Sequence, residues 1–218
     1  MQSVKVVAVS NPTIDGMSVD EFIAYVARVS NPSNQMNTET APKLLRYLAK
    51  NAHWSPFEMV NICVEIETTR DIARQILRHR SFSFQEFSQR YADPTKDLDF
   101  VLREARLQDE KNRQNSIETN DIELQAWWDA KQKFLIDYVK QTYAEAIQKG
   151  MAKEQARSIL PEGNTVSRLY MNGTLRSWIH FIDLRSGNGT QKEHMEVARE
   201  CAQVIAEAFP MATEFINN

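Results

Sequence analysis

Residues 59–68, "MVNICVEIET", alternate with a period of two. Val60, Ile62, Val64 and Ile66 face one way, and Asn61, Glu65 and Glu67 the other. Successive side chains of an extended chain point to opposite faces, so this stretch reads as a strand with one dry face and one wet face. The flanking sequence supplies helices. Ser18 followed by Glu21 makes a capping box that opens a helix with Phe22, Ile23, Val26 and Val29 at helical spacing. After a loop over 31–40, Thr40 and Pro42 start a second helix through Leu44, Leu45 and Leu48. "RDIARQILRH" (70–79) returns to helix. A long helix runs from Ile122 to near Lys149, with Leu124, Trp128, Leu135, Tyr138 and Val139 on one flank, and Gly150 ends it. A last helix covers roughly Lys192 to Phe209. Val4–Val9 reads as a further strand and "DLDFVLRE" (97–104) as a weaker one. The elements follow no strict βαβ rhythm, and neither a repeat nor a linker divides the chain. The expectation is an α+β fold, a single domain over 1–218, with a mixed or antiparallel sheet flanked by long helices.

Several chemistries are excluded early. With 42% hydrophobic and 25% charged residues and little Gly or Pro, the chain reads as globular and soluble. A formal net charge of −3 argues against a dedicated duplex-DNA binder. The start "MQSVKVVAVS" is too short and too polar-flanked for a signal peptide, and no apolar run approaches a membrane span, so no membrane partner is expected. Cys63 and Cys201 have neither CxxC nor zinc spacing and suggest a reducing cytoplasm. His53, His79, His180 and His194 never fall at HxH or HxxxH spacing, so no metal is expected. The six glycines form no GxGxxG or P-loop, and "SGNGT" (186–190) lacks the third glycine and the preceding strand. There is no GxSxG elbow. A nucleotide, if bound, would be held by side chains. The polar stretch 103–121 reads as a solvated helix or loop, or as a mobile flap over a site.

The chemistry that remains lies in "QILRHRSFSFQEFSQRY" (75–91), where Arg78, His79 and Arg80 stand side by side. Gln75 and Arg78 share a helix face, with His79 one turn after Gln75. A helix C-terminus welcomes one or two cations against its dipole. Arg78, Arg80 and Arg90 together, with Glu86 and Ser88 interleaved, suit the oxygens of an anion, since guanidinium forks pair with phosphate bidentately. Two other readings stand beside this one. The arginines are structural ion pairs, or they serve a single-stranded nucleic-acid binder with Phe82, Phe84 and Phe87 as stacking partners. The phenylalanines read better as core or strand residues, and Trp127 and Trp128 as helix packing. On residue type alone, His53 is a packed loop histidine and Arg157 and Arg185 are surface arginines.

"RHRSFSFQEFS" is Arg-His-Arg, seven residues, then serine, extended by "RQILRHR" before and "SQRY" after. Together with "HWSPFE" (53–58), "ARSILP" (156–161) and "LRSWIHFIDLR" (175–185), in order and spacing, it resembles the flavin-dependent thymidylate synthases over nearly the whole chain. The resemblance implies methylation of dUMP with FAD as cofactor, methylenetetrahydrofolate as carbon donor and NADPH as reductant. It also implies a homotetramer with shared sites, in the cytoplasm (a host's cytosol, were the chain viral). Residue by residue, Arg78, His79 and Arg80 would lie against the flavin, Arg78 also touching the nucleotide. Gln75 and the run Glu86, Phe87, Ser88, Gln89 and Arg90 would grip dUMP, Ser88 and Arg90 near its phosphate and Glu86 also near the flavin. Arg157 would be a second phosphate cation supplied across a subunit boundary. Ser55, Thr174, Leu175, Arg176 and His180 would hold more of the FAD. The catalytic pair would be His53, at the flavin ring where folate stacks, and Arg185, against the uracil and favouring its ionised form. Gln89 stands where many relatives have glycine, which a left-handed backbone would not tolerate cheaply. His194 in "KEHMEV" receives no role, because the segment after Arg185 is longer than in some relatives. Neither cysteine suits a thiolate nucleophile: Cys63 has acidic company in Glu65, and Cys201 is remote from the arginines. Ser88 lacks an adjacent base. Hydride from reduced flavin, with Arg185 polarising the ring, would take the nucleophile's place.

Overall fold

The alternating stretch forms β2 (Asn61–Thr69) in a computed structural model that describes residues 3–187 and 189–215. Ile62, Val64 and Ile66 are fully buried, as the period-two pattern requires. With β1 (Ser3–Val9), β3 (Phe82–Glu86) and β6 (Val166–Thr174), β2 makes a four-stranded sheet in the order β1-β2-β6-β3. Every pairing is antiparallel, so the mixed alternative drops out. The wet face is laced by cross-strand ion pairs, Lys5 to Glu65 at 2.8 Å and Arg168 to Glu67 at 2.6 Å.

Helices cover the dry face. They are α1 (Val19–Ala27), α2 (Ala41–Lys50), α3 (Arg70–Ile76), α7 (Leu175–Arg185) and α8 (Lys192–Ala208). They contribute Ile23, Leu45, Ile72, Trp178 and Val197 to one core with the strand residues. Each such side chain, fully buried, contributes about 1.5–3 kcal/mol. The capping box at Ser18 and Glu21 is present, both of its bonds made. Val29, expected on the buried flank, lies past the end of α1 and is exposed. Thr40 precedes α2 without capping it; its hydroxyl accepts from Arg28 Nη2 at 2.7 Å.

Two expectations for the middle of the chain need correction. Residues 97–104 do not form a strand: Pro94–Asp97 is a short helical turn, α4, and only Phe100 makes a bridge, to Thr165. The polar stretch 103–121 is neither helix nor plain loop but carries a hairpin, β4 (Arg106–Gln108) with β5 (Ser116–Glu118). The long helix α5 (Ile122–Gln148) starts and stops where expected, ending in Gly150 at φ 82° with Met151 N–H donated to Ala146 O at 3.0 Å. Its buried stripe is Gln132, Ile136, Val139 and Tyr143, whereas Leu135 and Tyr138 are exposed. Each sits one residue from the stripe, which on a helix is about 100° around the axis. Gln132 takes an inward place because its amide is satisfied: Oε1 accepts from the Arg103 backbone N–H at 2.8 Å and from Asn164 Nδ2 at 2.9 Å, and Nε2 donates to Arg103 O at 2.8 Å. Among the described residues no helix is long and apolar enough to cross a membrane.

Candidate active site

The helix α3 ends at Ile76, so Arg78, His79 and Arg80 occupy the turn that leads into β3. Arg78 and Arg80 point outward, while His79 is half-buried. What holds His79 comes from the far end of α7: Arg185 Nε donates to His79 Nε2 at 3.0 Å. The imidazole therefore accepts at Nε2 and carries its proton on Nδ1. Its ring packs edge-on against Phe181, centroids 4.9 Å apart. Burial, and then the Arg185 charge, lower its pKa, so the ring is neutral. Gln75, on the last turn of α3, donates Nε2 to Gln191 Oε1 at 2.8 Å and has its Oε1 3.3 Å from His194 Nδ1. His194 is completely buried, and burial followed by the charges of Arg185 and His79 brings its pKa down to about 4.

A second group forms at the start of α7. Here α2 ends in a Schellman motif: Ala52 N–H bonds to Ala49 O at 3.1 Å and His53 N–H to Leu48 O at 2.8 Å. Ala52 takes φ 57°, the left-handed position usually given to glycine, and this throws His53 and Ser55 to the surface. Trp54 meets His180 edge-on at 5.0 Å, and Glu58 pairs with Arg176. The stretches 53–58 and 175–185 are thus brought together. Thr174 caps α7, accepting from Ser177 N–H at 3.2 Å. The Leu175 side chain is fully buried and its N–H goes to Val60 O at 2.8 Å, which anchors the helix start.

A third group follows β3. Glu86 accepts from Ser167 Oγ at 2.8 Å and pairs with Arg70 at 3.5 Å, which turns its carboxylate inward. Phe87 N–H bonds to Arg168 O, and Ser88 O receives the N–H groups of Tyr91 and Ala92, which closes a turn. Gln89 is buried in that turn, its Nε2 without a partner among the described residues, and its backbone is not left-handed. The substitution for glycine is therefore tolerated. Arg90 pairs with Glu154 at 3.3 Å, and Lys153 Nζ donates to Tyr91 O at 2.7 Å. These two contacts seat α6 (Lys153–Ala156), and Arg157 just after it, beside the turn of the same chain.

Several arginines of the chain are neutralised by carboxylates, among them Arg46, Arg74, Arg103, Arg106 and Arg168. Arg78, Arg80, Arg157 and Arg185 are not, among the described residues; neither is Arg113 in the exposed hairpin, nor are Arg28 and Arg199, which bond instead to Thr40 Oγ1 and to Ser186 O. A cleft of about 480 Å³ is lined by Glu104, Glu193, Glu196 and Glu200 with Arg103 and Lys192. Its carboxylates repel a phosphate, and none of the expected nucleotide residues lines it. Phe82 and Phe84 pack against the core, Phe82 edge-on to Trp178 at 4.9 Å, so they offer no platform for stacked bases. The single-stranded nucleic-acid reading thereby loses two of its three stacking residues. Sequence reasoning missed Gln191 and set His194 aside; the signal available was the polar run "QKEH" at the start of an otherwise amphipathic helix.

A family model described as thymidylate synthase complementing protein matches residues 14–211. The chain is 47% identical over 209 residues to a probable flavin-dependent thymidylate synthase of Paramecium bursaria Chlorella virus 1, covering 95% of both chains. It is 48% identical over 211 residues to the flavin-dependent thymidylate synthase of Synechocystis sp., again covering 95% of each. Among solved structures, the UMP/dUMP methylase PolB from Streptomyces cacaoi, bound with 5-Br dUMP, superposes with a TM-score of 0.79 at 25% identity, over 99% of this chain and 94% of that one. Motifs, fold and relatives converge, and the chain belongs to the flavin-dependent thymidylate synthase family.

Proposed function

We propose that the chain converts dUMP to dTMP as a flavin-dependent thymidylate synthase, working as one domain of a cytoplasmic homotetramer. The observation that carries the reading is the set of guanidinium groups at Arg78, Arg80, Arg157 and Arg185, which lack carboxylate partners among the described residues, whereas Arg103, Arg106 and Arg168 have them. Uncompensated cations at the ends of α3, α6 and α7 suit an anion arriving from outside. The buried, unpartnered Nε2 of Gln89 beside Ser88 adds a donor of the same kind. These residues fit a nucleotide phosphate and a flavin. Bound FAD, reduced by NADPH, supplies the hydride, and methylenetetrahydrofolate the carbon.

The chain's own residues bind and polarise. Arg78 and Arg80 would hold the flavin, Arg78 shared with dUMP, while Ser55, His53, Arg176 and His180 would hold the rest of the cofactor and the folate. Gln75, Ser88, Gln89, Arg90 and Arg157 would grip dUMP. Arg185 commits its Nε to His79, which fixes the guanidinium plane and leaves its terminal nitrogens for the uracil. A preorganised donor facing developing negative charge contributes about 2.7–4 kcal/mol to the rate. No thiolate is at hand: burial raises the pKa of Cys63, and that of Cys201 further still. Trp127, Phe134, Leu135 and Tyr138 leave an apolar strip exposed on α5, which supports self-association. The two free thiols support a reducing compartment. Titration of Arg78→Ala tests the assignment. Loss of a charge-assisted bond weakens both FAD and dUMP about tenfold or more; binding as tight as the parent's would sink it.

A further inference from the structure

Gln75 belongs to a hydrogen-bond relay that can run in only one sense. Its fixed end is Glu193, whose carboxylate, paired with Arg103 and Arg106, can only accept. Gln191 must therefore present Nε2 to Glu193 Oε2, 2.9 Å away, which turns its own Oε1 toward Gln75. That oxygen takes the Gln75 Nε2–H at 2.8 Å. Gln75 is left with Oε1 facing His194 Nδ1 at 3.3 Å, so Nδ1 carries the ring proton. The two faces of a free carboxamide differ little in shape, and only such a network makes one orientation preferred. His194 closes the network from inside the core. It is fully buried, its ring tilted against Phe181 with centroids 5.8 Å apart, and its Nε2 meets no partner among the described residues. A buried imidazole with one nitrogen unsatisfied gains nothing over leucine as packing. Its Nδ1–H is the part with work to do.

We infer that His194 is a positioning residue for dUMP: its Nδ1–H locks the Gln75 carboxamide, leaving one N–H and one oxygen lone pair in a fixed sense for the nucleotide. The inference rests on the assignment of Gln75 to dUMP proposed above. His194→Asn keeps a donor close to where Nδ1 stands, whereas His194→Leu keeps the volume and removes the donor.

The test has two arms on the FAD-loaded enzyme. In the first, nitrogen-15 spectra of the imidazoles, assigned by the signals lost in His194→Asn, should show His194 neutral and protonated on Nδ1. An Nε2-protonated ring overturns the proposal whatever the substrate. In the second, dUMP is titrated against the parent, both His194 variants, Gln75→Leu and the Gln75→Leu/His194→Leu pair. His194→Leu should weaken dUMP about tenfold with flavin content unchanged, His194→Asn should stay within about threefold of the parent, and His194→Leu should add nothing once Gln75 is leucine. Equal losses in the two His194 variants, no loss in either, or an undiminished loss on the Gln75→Leu background overturn it. Should Gln75→Leu itself bind dUMP like the parent while His194 is Nδ1-protonated, the assignment of Gln75 has failed, and the proposal falls with it for that separate reason.

Discussion

Two groups of cations lie on either side of the start of α8, and the chain treats them oppositely. On one side Arg103, Arg106 and Lys192 are bonded to Asp71, Glu193, Glu104 and Glu118, tying the hairpin to the body of the fold. On the other, Arg78, Arg80 and Arg185 have no carboxylate among the described residues; Arg185 spends one N–H on a neutral imidazole. Both groups are arginine-rich, so composition does not separate them. The difference teaches that the cations tying the hairpin down are balanced within the chain, whereas on the proposed function Arg78, Arg80 and Arg185 would be balanced by what it binds. The two groups touch through the Glu193–Gln191–Gln75 relay, which carries the order of the balanced side to the open one.

The comparison breaks first at Arg103, whose side chain is largely buried between Asp71 and Glu193. Removing one partner of such a pair leaves uncompensated charge, so Arg103→Ala should cost about 3–5 kcal/mol and lower Tm on the order of 10 °C in calorimetry. A change within about 1 °C would show that this side is ornamental.

On the open side the signature reverses, with function lost at nearly constant Tm. Arg185→Ala should lower turnover at saturating dUMP by about 100-fold or more, whereas Arg157→Ala should chiefly raise the dUMP requirement, by about tenfold. The opposite pattern in steady-state kinetics removes this division of labour.

On the open side burial, and after it the charges of Arg185 and His79, keep His194 neutral in the native state down to a pKa of about 4, against 6.5 when unfolded. As pH falls below 6.5 the unfolded chain takes up the proton first. Stability is therefore full above pH 6.5 and declines toward pH 4, by roughly 3 kcal/mol from this group. Denaturant titrations should show that slope, reduced in His194→Asn; an unchanged slope refutes the assignment.

The smallest effect is expected where neither group reaches. A Cys63→Ala/Cys201→Ala variant should retain its flavin and turn over within about threefold of the parent, the residual change coming from packing. A fall of several orders of magnitude with the fold intact would restore a cysteine nucleophile.

What the sequence made legible follows from how local each signal is. The alternation in β2, the capping box at Ser18 and the glycine stop at Gly150 are written within a few residues, and each is found where expected. The hairpin at 106–118 escaped because its strands are three residues long and exposed, leaving no periodicity to read. Leu135 and Tyr138 misled because apolar type was taken for inward direction, while a satisfied glutamine held the inward place. Of the candidate site, the RHR turn was legible as chemistry, but its support was not. Arg185 lies 106 residues from His79, and His194 lies 119 from Gln75.

Those separations have a consequence during synthesis. The two central strands, β2 and β6, are neighbours in the sheet although about a hundred residues of chain lie between them. At about 5–20 residues per second, a ribosome takes roughly 5–20 s to deliver β6 after β2. Throughout that interval the apolar row Ile62, Val64, Ile66 is without its inner neighbour, and pairing over so long a loop closes slowly. α8, with His194, emerges later still, so the nascent chain makes its cation turn early and the means of orienting it last. A polypeptide halted before Gln191 would carry every arginine of the motif and no way to aim Gln75.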